Sequence, residues 1–152
     1  MTAKTIATAL ALATIGLTAC NSPQQMGGNS KICADFKQAK GIPIGAADGA
    51  GPVDECVKRW GYALASSRDD ANIVSEAVVA ACGTQLSRWN QQILSVPGAD
   101  GESASLTTGQ PTTPLAEHNA FTHNRALFYV VQARAGSCPA PPITNGVPEG
   151  IS

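Results

Sequence analysis

The two histidines of this chain are His118 and His123. They could bind a metal ion together only if their spacing placed both side chains on one face of a helix. They stand five residues apart in a segment of helical character, which separates them by about 140° around a helix axis. A helical zinc motif needs its histidines four residues apart, so the Glu117-His118 pair matches only a fragment of one. The spacing therefore predicts no metal site, and we expect His118 to lie in the solvated first turns of a helix.

The other residues that could perform chemistry are better explained by structure. The Gly-Glu-Ser-Ala-Ser sequence at 101–105 lacks the glycine that a nucleophile elbow requires at its fifth position. Asp69 and Asp70 suit the start of a helix, where carboxylates interact favourably with the helix dipole. Trp60 and Trp89 could stack on a ligand, but both fall on apolar stripes and are expected in the core. We predict no catalytic residue and no cofactor.

Four arginines lie on predicted helices with wide apolar faces. Because only 14% of the residues are charged, we expect these arginines along the edge of the core, paired with carboxylates such as Glu55 or Glu76. Their predicted role is structural. They are Arg59, Arg88, Arg125 and Arg134.

The element that would position most of these residues is an antiparallel helical hairpin predicted from Pro52 to Leu94. Apolar residues recur in it at steps of three and four, which marks one face of each helix for burial. The second helix is expected to begin at Ser67, whose hydroxyl can cap the N–H of Asp70, and to continue to Leu94. The stripes comprise Val53, Cys56, Trp60, Ala63 and Leu64, then Val74, Val78, Cys82, Leu86, Trp89 and Ile93.

A third long helix is predicted from Leu115 to Ala135, with Thr113-Pro114 as its cap and first position and Gly136 as its end. Its middle is apolar nearly all round, as expected for the most buried helix of a small bundle. We expect one dry core that contains Trp60, Trp89, Leu127 and Phe128.

The flanking segments are predicted to be less ordered. A short helix is expected over 31–40, whereas the segment 97–113 is rich in Gly, Ser, Thr and Pro and is predicted to be disordered. The segment 139–152 has four prolines and no periodicity, so we expect an extended, mobile tail. The helical domain would therefore span residues 31–138.

The overall charge limits the classes of partner. The chain has 152 residues and a formal net charge of −1, without a basic patch, so nucleic acid is not an expected partner. After the first 20 residues there is no apolar run near the roughly 20 residues that a membrane-spanning helix requires.

The first 20 residues carry the most specific motif in the sequence. Lys4 precedes an apolar stretch over 5–16, and Leu17-Thr18-Ala19-Cys20 follows it. This region resembles the signal peptide and lipobox of bacterial lipoproteins. The resemblance implies that residues 1–19 are removed and that Cys20 is acylated, with palmitate among its chains. The alternative is an ordinary secretory signal cleaved near Ala19, which would leave Cys20 as a free thiol.

The resemblance also carries expectations about location. Asn21, rather than Asp, follows the lipidated cysteine, which implies sorting to the outer membrane with the domain facing the periplasm. The segment 20–30 contains Gly27-Gly28 and little apolar surface, so we predict a flexible tether. Its root-mean-square end-to-end distance would be roughly 17 to 19 Å. The expected partners are the membrane, through the lipid, and an unidentified protein of the envelope.

The remaining cysteines are Cys33, Cys56, Cys82 and Cys138, and an even number in an exported chain indicates two disulfides. Three connectivities are possible. The hairpin geometry favours Cys56 with Cys82 and hence Cys33 with Cys138, although the offset of roughly 6 to 9 Å is near the limit for a disulfide. The predicted fold class is all-α: a small disulfide-stapled helical bundle with a central antiparallel hairpin, a third long helix and a short N-terminal helix.

Three functions are compatible with the sequence. The favoured one is a non-enzymatic interaction or scaffolding module anchored in the envelope membrane. The alternative is a small inhibitor or exclusion factor that binds a secreted enzyme or an incoming element, for which an ordered 97–113 loop would be the distinguishing feature. An enzyme would require a pocket that gathers His118 or His123 with a carboxylate.

Overall fold

The computed structural model describes residues 30–36, 49–98, 101–105 and 108–151. Helices dominate this part of the chain: α1 (Ala50–Leu64), α2 (Ala71–Ala81), α3 (Gly83–Leu94) and α4 (Pro114–Gly136). A single 3-10 turn, Ser30–Ile32, precedes them. Two small antiparallel hairpins accompany them, β1 (Ser103–Ala104) with β2 (Pro111–Thr112) and β3 (Ile143–Thr144) with β4 (Val147–Pro148). The predicted helical class is therefore confirmed, whereas the hairpins are additions to it.

Several predictions fall on other parts of the chain. The signal peptide over 1–19, Cys20 and the tether up to residue 29 lie outside the described residues. The helix predicted over 31–40 is wrong in its described part, because only the 3-10 turn Ser30–Ile32 is helical and residues 33–36 are not. Residues 37–40 lie outside the described residues.

Helix α4 is the element against which α1, α2 and α3 all pack. The core at these contacts is built mainly from Val, Ala, Cys and Tyr side chains rather than from the largest apolar ones. Its members include Cys56, Val57, Tyr62, Val74, Val78, Cys82, Ala126, Tyr129, Val130 and Ala133.

The predicted dry core is wrong, because the large side chains assigned to it are not the ones that are fully buried. Phe128 is 49% exposed, and Trp60, Trp89 and Leu127 are half-buried. Because the middle of α4 is apolar on nearly all sides, its periodicity does not indicate which side faces inward. The contacts with α1 and α2 select the side that carries Ala126, Val130 and the other buried α4 residues.

The ends of α4 follow the predicted signals closely. The Thr113 hydroxyl accepts a hydrogen bond from the Ala116 N–H at 3.3 Å, and Pro114 takes the first helical position. At the other end Ser137, with φ 49°, is the left-handed residue, and the Cys138 N–H donates to the Ala133 carbonyl at 2.9 Å. This is a Schellman motif one residue beyond the predicted end.

Gly136 is required for a close approach rather than for a positive φ. A Cβ atom at this position would lie 2.5 Å from Cys138 Sγ and 3.0 Å from Cys33 Sγ. The glycine therefore makes room for the disulfide beside the last turn of α4.

The long second helix predicted from Ser67 to Leu94 is wrong, because the chain breaks at Cys82. This residue has φ −100° and ψ 13°, and Gly83, a poor helix former, follows it. The helix also starts later than predicted: the Asp70 carboxylate, not the Ser67 hydroxyl, caps α2 by accepting from the Asn72 N–H at 2.9 Å.

Both disulfides form with the favoured connectivity. Cys56 and Cys82 are bonded with a Cα separation of 5.8 Å, and Cys33 and Cys138 with one of 5.5 Å. The later start of α2 explains why the first pair fits. Cys56 lies eight residues before the end of α1 and Cys82 eleven after the start of α2, an offset of only about 4.5 Å along the helices.

The C-terminal segment folds instead of forming the mobile tail that its composition predicts. Asn145 and Gly146, with φ 53° and 80°, make the two-residue turn between β3 and β4. Pro148 is fully buried. The Arg59 side chain, 2% exposed, donates from its guanidinium to the Glu149 carbonyl and from Nε to Glu55 Oε1 at 2.7 Å.

The segment predicted to be disordered over 97–113 also contains structure in its described part. Strands β1 and β2 pair there, and Ser105 closes the loop by exchanging backbone hydrogen bonds with Gly109 and Gln110, both at 2.9 Å. Gly109 has φ 70°, which favours glycine. Turn chemistry, rather than an apolar core, orders these residues.

Candidate functional site

The outer face of α4 is the most unusual surface among the described residues. An exposed helix face normally carries charged side chains, but none of the exposed residues of α4 is Asp, Glu, Lys or Arg. Phe128 and Val131 are each 49% exposed on it. We call the following set the outer face: Ala116, Asn119, Ala120, His123, Asn124, Phe128, Val131 and Ala135.

A polar cluster at the edge of this face holds Phe128 in place. Tyr129 donates its hydroxyl hydrogen to Asp54 Oδ2 at 2.9 Å, and Arg125 Nη2 donates to the same oxygen at 3.3 Å. The Arg125 guanidinium carbon lies 4.6 Å from the Tyr129 ring centroid and 5.3 Å from that of Phe128. Because this cation stacks on both rings, it orients the exposed aromatic side chain.

Protonation in this cluster is firmly set. The hydrogen bond to Asp54 raises the pKa of Arg125 above its ordinary value. Burial, followed by the hydrogen bond to Asp54, raises the pKa of Tyr129. Arg125 therefore stays cationic and Tyr129 stays neutral at physiological pH. The ion pair between Arg125 and Asp54 adds no net charge at the edge of the outer face.

His118 does not lie in solvent as predicted. Its actual position also shows what the Trp89 ring contacts. The imidazole is 8% exposed and stacks on the Trp89 ring at 3.5 Å between centroids with a 14° interplanar angle. Its Nδ1 lies 2.7 Å from Asn90 Oδ1, which places the proton of the neutral ring on Nδ1. Phe121 packs edge-on against Trp89 at 5.6 Å. His118 and Trp89 thus form one structural stack between α3 and α4.

The His118 stack is expected to make stability depend on pH. Burial lowers the pKa of His118 below 6.5, so the unfolded chain binds a proton more readily than the folded protein does. The free energy of unfolding should therefore fall as the pH drops below about 6.5. Urea unfolding at pH 7.5 and 5.5 should show a smaller pH dependence for His118→Gln than for the wild type.

The exposed His123 provides the matched control for this measurement. His123→Gln should retain the pH dependence of the wild type. An unchanged pH dependence in His118→Gln would contradict the role of the buried imidazole.

The predicted pairing of the arginines is confirmed for Arg59, whose partner is Glu55. Arg125 also pairs with a carboxylate, that of Asp54. Arg134 differs, because its guanidinium donates to backbone oxygens: Nε to Ala65 at 3.0 Å, and Nη2 to Ser67 and Asp69, each at 3.0 Å. It thus ties α4 to the turn between α1 and α2.

A surface cleft of about 340 Å³ opens beside this turn. Tyr62, Arg134 and Cys138 line it together with small residues. Its volume lies at the small end of ligand pockets. Because the Arg134 guanidinium is engaged with the turn, the cleft is a weaker candidate for function than the outer face.

The described residues show neither a metal-ligating cluster nor a membrane-spanning helix. Within the described part of the chain, no three His, Cys, Asp or Glu side chains lie where they could share a metal ion. None of the helices in these ranges is long and apolar enough to cross a bilayer.

Comparison with protein-family models, with curated proteins and with solved structures finds no match to this chain.

Proposed function

We propose that this protein is a membrane-anchored lipoprotein of the bacterial envelope that acts as a non-enzymatic interaction or scaffolding module. The lipobox-like sequence Leu17-Thr18-Ala19-Cys20 supports the anchor, and Asn21 supports sorting to the outer membrane, facing the periplasm. Helices α1 to α4 would form one small disulfide-stapled bundle in which α1 and α2 make the central hairpin.

The outer face of α4 is the observation that carries the binding role. Its exposed residues lack charge, and Phe128 and Val131 give it apolar character. Aromatic residues and arginine are enriched at the centres of protein interfaces, where charged residues are otherwise depleted. Phe128, held by the Arg125 guanidinium at 5.3 Å, has the features of such an anchor.

The test uses the full chain in its own envelope. Cells expressing the wild type or Phe128→Glu are crosslinked, and the protein is purified with whatever is bound to it. We expect Phe128→Glu to recover at least about tenfold less partner, because loss of a central aromatic anchor typically costs about 2 kcal/mol or more of binding free energy. Cys20→Ala should take up no labelled fatty acid.

Ile73 on α2 supplies the control, because it is 59% exposed and lies away from the outer face. Ile73→Glu should recover the same partner as the wild type, and both variants should melt like it. Equal recovery with Phe128→Glu and Ile73→Glu would refute the binding role, while fatty-acid labelling of Cys20→Ala would refute the anchor.

The ordered β1–β2 hairpin gives some support to the alternative, an inhibitor or exclusion factor. Its described residues form a small exposed projection in which Ser103 pairs with Thr112. Such a projection could enter the cleft of a secreted enzyme or contact an incoming element. Crosslinks that map to this hairpin instead of α4 would favour the alternative.

A further inference from the structure

We propose that the Cys33–Cys138 disulfide is a thiol-exchange site, which a dithiol reaches through the cleft beside the turn between α1 and α2. Opening of this bond would release the segment before α1 from the end of α4. The outer face takes no part in this exchange, so the inference is independent of the proposed function.

The two disulfides differ in their exposure. Cys56 and Cys82 are 2% and 0% exposed and belong to the core. Cys33 and Cys138 are half-buried, and Cys138 is one of the residues that line the cleft of about 340 Å³. Thiol–disulfide exchange requires a thiolate to reach a sulfur atom. The Cys33–Cys138 bond can therefore react in the folded protein, whereas the other bond reacts only after the core opens.

The charge of the cleft suits an anionic thiolate. Among the described residues that line it, Arg134 is the cation and none is Asp or Glu. The Asp69 carboxylate, on the neighbouring turn, accepts a hydrogen bond from the Ser67 hydroxyl at 2.5 Å and is not part of this lining. The end of α4 presents a partial negative charge of about half a unit, which the full positive charge of Arg134 exceeds.

The exchange takes two steps. A thiolate of the dithiol attacks Cys138 Sγ, the bond between the two Sγ atoms breaks, and Cys33 leaves as a thiolate that takes up a proton. The second thiolate of the dithiol then attacks its own sulfur in the mixed disulfide and releases Cys138, which is protonated in turn. Two electrons and two protons thus pass from the dithiol to the cysteine pair, and the dithiol becomes a disulfide.

Once the bond is open, the contacts that hold the segment 30–36 are noncovalent. They include the hydrogen bonds from Gln132 Nε2 to the Ile32 carbonyl at 2.8 Å and from the Ala34 N–H to the Tyr62 hydroxyl at 3.1 Å, and the edge-on packing of Phe36 on Tyr62 at 5.1 Å. The segment belongs to no strand or long helix. It can therefore separate from α4 without unfolding of the helices.

The test is the rate at which dithiothreitol opens each bond in the oxidised full chain. Samples are quenched with N-ethylmaleimide at intervals, and mass spectrometry maps the labelled cysteines. We expect Cys33 and Cys138 to be labelled at least about tenfold faster than Cys56 and Cys82, because attack on a buried bond requires local opening. Equal rates, or faster labelling of Cys56 and Cys82, would overturn the proposal.

A bulky side chain in the cleft tests the route of entry. Ala140 is exposed and lines the cleft, so Ala140→Trp should slow the labelling of Cys33 and Cys138 at least about fivefold by hindering access. Ala120→Trp, at an exposed alanine that does not line the cleft, should react like the wild type. A wild-type rate in Ala140→Trp would overturn entry through the cleft.

A charge in the cleft tests the attacking species. Ser66 is exposed and lines the cleft. Ser66→Asp should slow the reaction with dithiothreitol about threefold, as expected for two like charges about 6 Å apart in water. Ser66→Asn is the uncharged control, and the neutral reductant tris(hydroxypropyl)phosphine should react equally with both variants. Equal slowing of dithiothreitol by Asp and Asn would overturn the electrostatic part of the proposal.

Release of the segment is tested with the double variant Cys33→Ser, Cys138→Ser, which lacks the bond. Trypsin can cut after Lys31 in the segment and after the exposed Arg88 on α3. The ratio of cleavage after Lys31 to cleavage after Arg88 should be at least about tenfold higher than in the wild type, because only the segment detaches. An unchanged ratio would overturn the release.

Discussion

Arg59→Met should lower the free energy of unfolding by about 3 kcal/mol, since removal of one partner from a buried ion pair leaves the other uncompensated. The guanidinium holds Glu55 and the Glu149 carbonyl, and lies 5.3 Å from the Phe36 ring centroid. We expect the lower end of the usual 3 to 5 kcal/mol because Lys58 also pairs with Glu55 and would remain. Urea unfolding measures the loss.

The same substitution should release the C-terminal hairpin. A Cβ atom on Gly150 would lie 2.7 Å from Arg59 Cζ, so the segment after β4 is packed directly on this side chain. Limited proteolysis should therefore cut Arg59→Met after residue 142 faster than the wild type. Arg68 is exposed and gives the control; an Arg59→Met protein that melts like Arg68→Met would show that the buried cation contributes nothing.

Joint replacement of Cys33 and Cys138 by alanine should cost about 4 to 5 kcal/mol. The sequence separation of this disulfide is 105, and a loop of about 100 residues corresponds to about 4.7 kcal/mol of chain entropy in the unfolded state. Denaturation under oxidising conditions measures the loss relative to the wild type.

The second disulfide is the matched comparison. Cys56 and Cys82 are separated by only 26 positions, so their joint replacement should cost about 3 to 4 kcal/mol. A larger loss for this pair than for Cys33 and Cys138 would mean that packing of the sulfur atoms, rather than loop entropy, decides the contribution.

The parts of the fold that sequence could predict are those governed by local chemistry. Thr113 and Pro114 fix the start of α4, because capping and a preset φ act within one turn. The disulfide pairing follows from the lengths of two helices. The Asn145-Gly146 pair is an equally local hairpin signal that the high proline content obscured.

The parts that sequence could not predict depend on contacts between distant elements. Nothing local indicates that Phe128 faces outward while the adjacent Tyr129 is 5% exposed, because both suit a buried helix. The same holds for His118, whose burial results from the Trp89 ring on another helix. The outer face was therefore not identifiable as a candidate site without the packing of α1 and α2.

The Cys33–Cys138 bond also determines how a mechanical load enters the domain. A pull on the chain before Cys33 passes through the two sulfur atoms to the last turn of α4, where Gly136 lets the bond lie against the helix. The short 3-10 segment Ser30–Ile32 is not part of a strand or a long helix, and it does not have to resist that force. Shear between α4 and its neighbours would then set the force at which the domain unfolds. A terminus held in this way can bear a pulling force without separating from the domain.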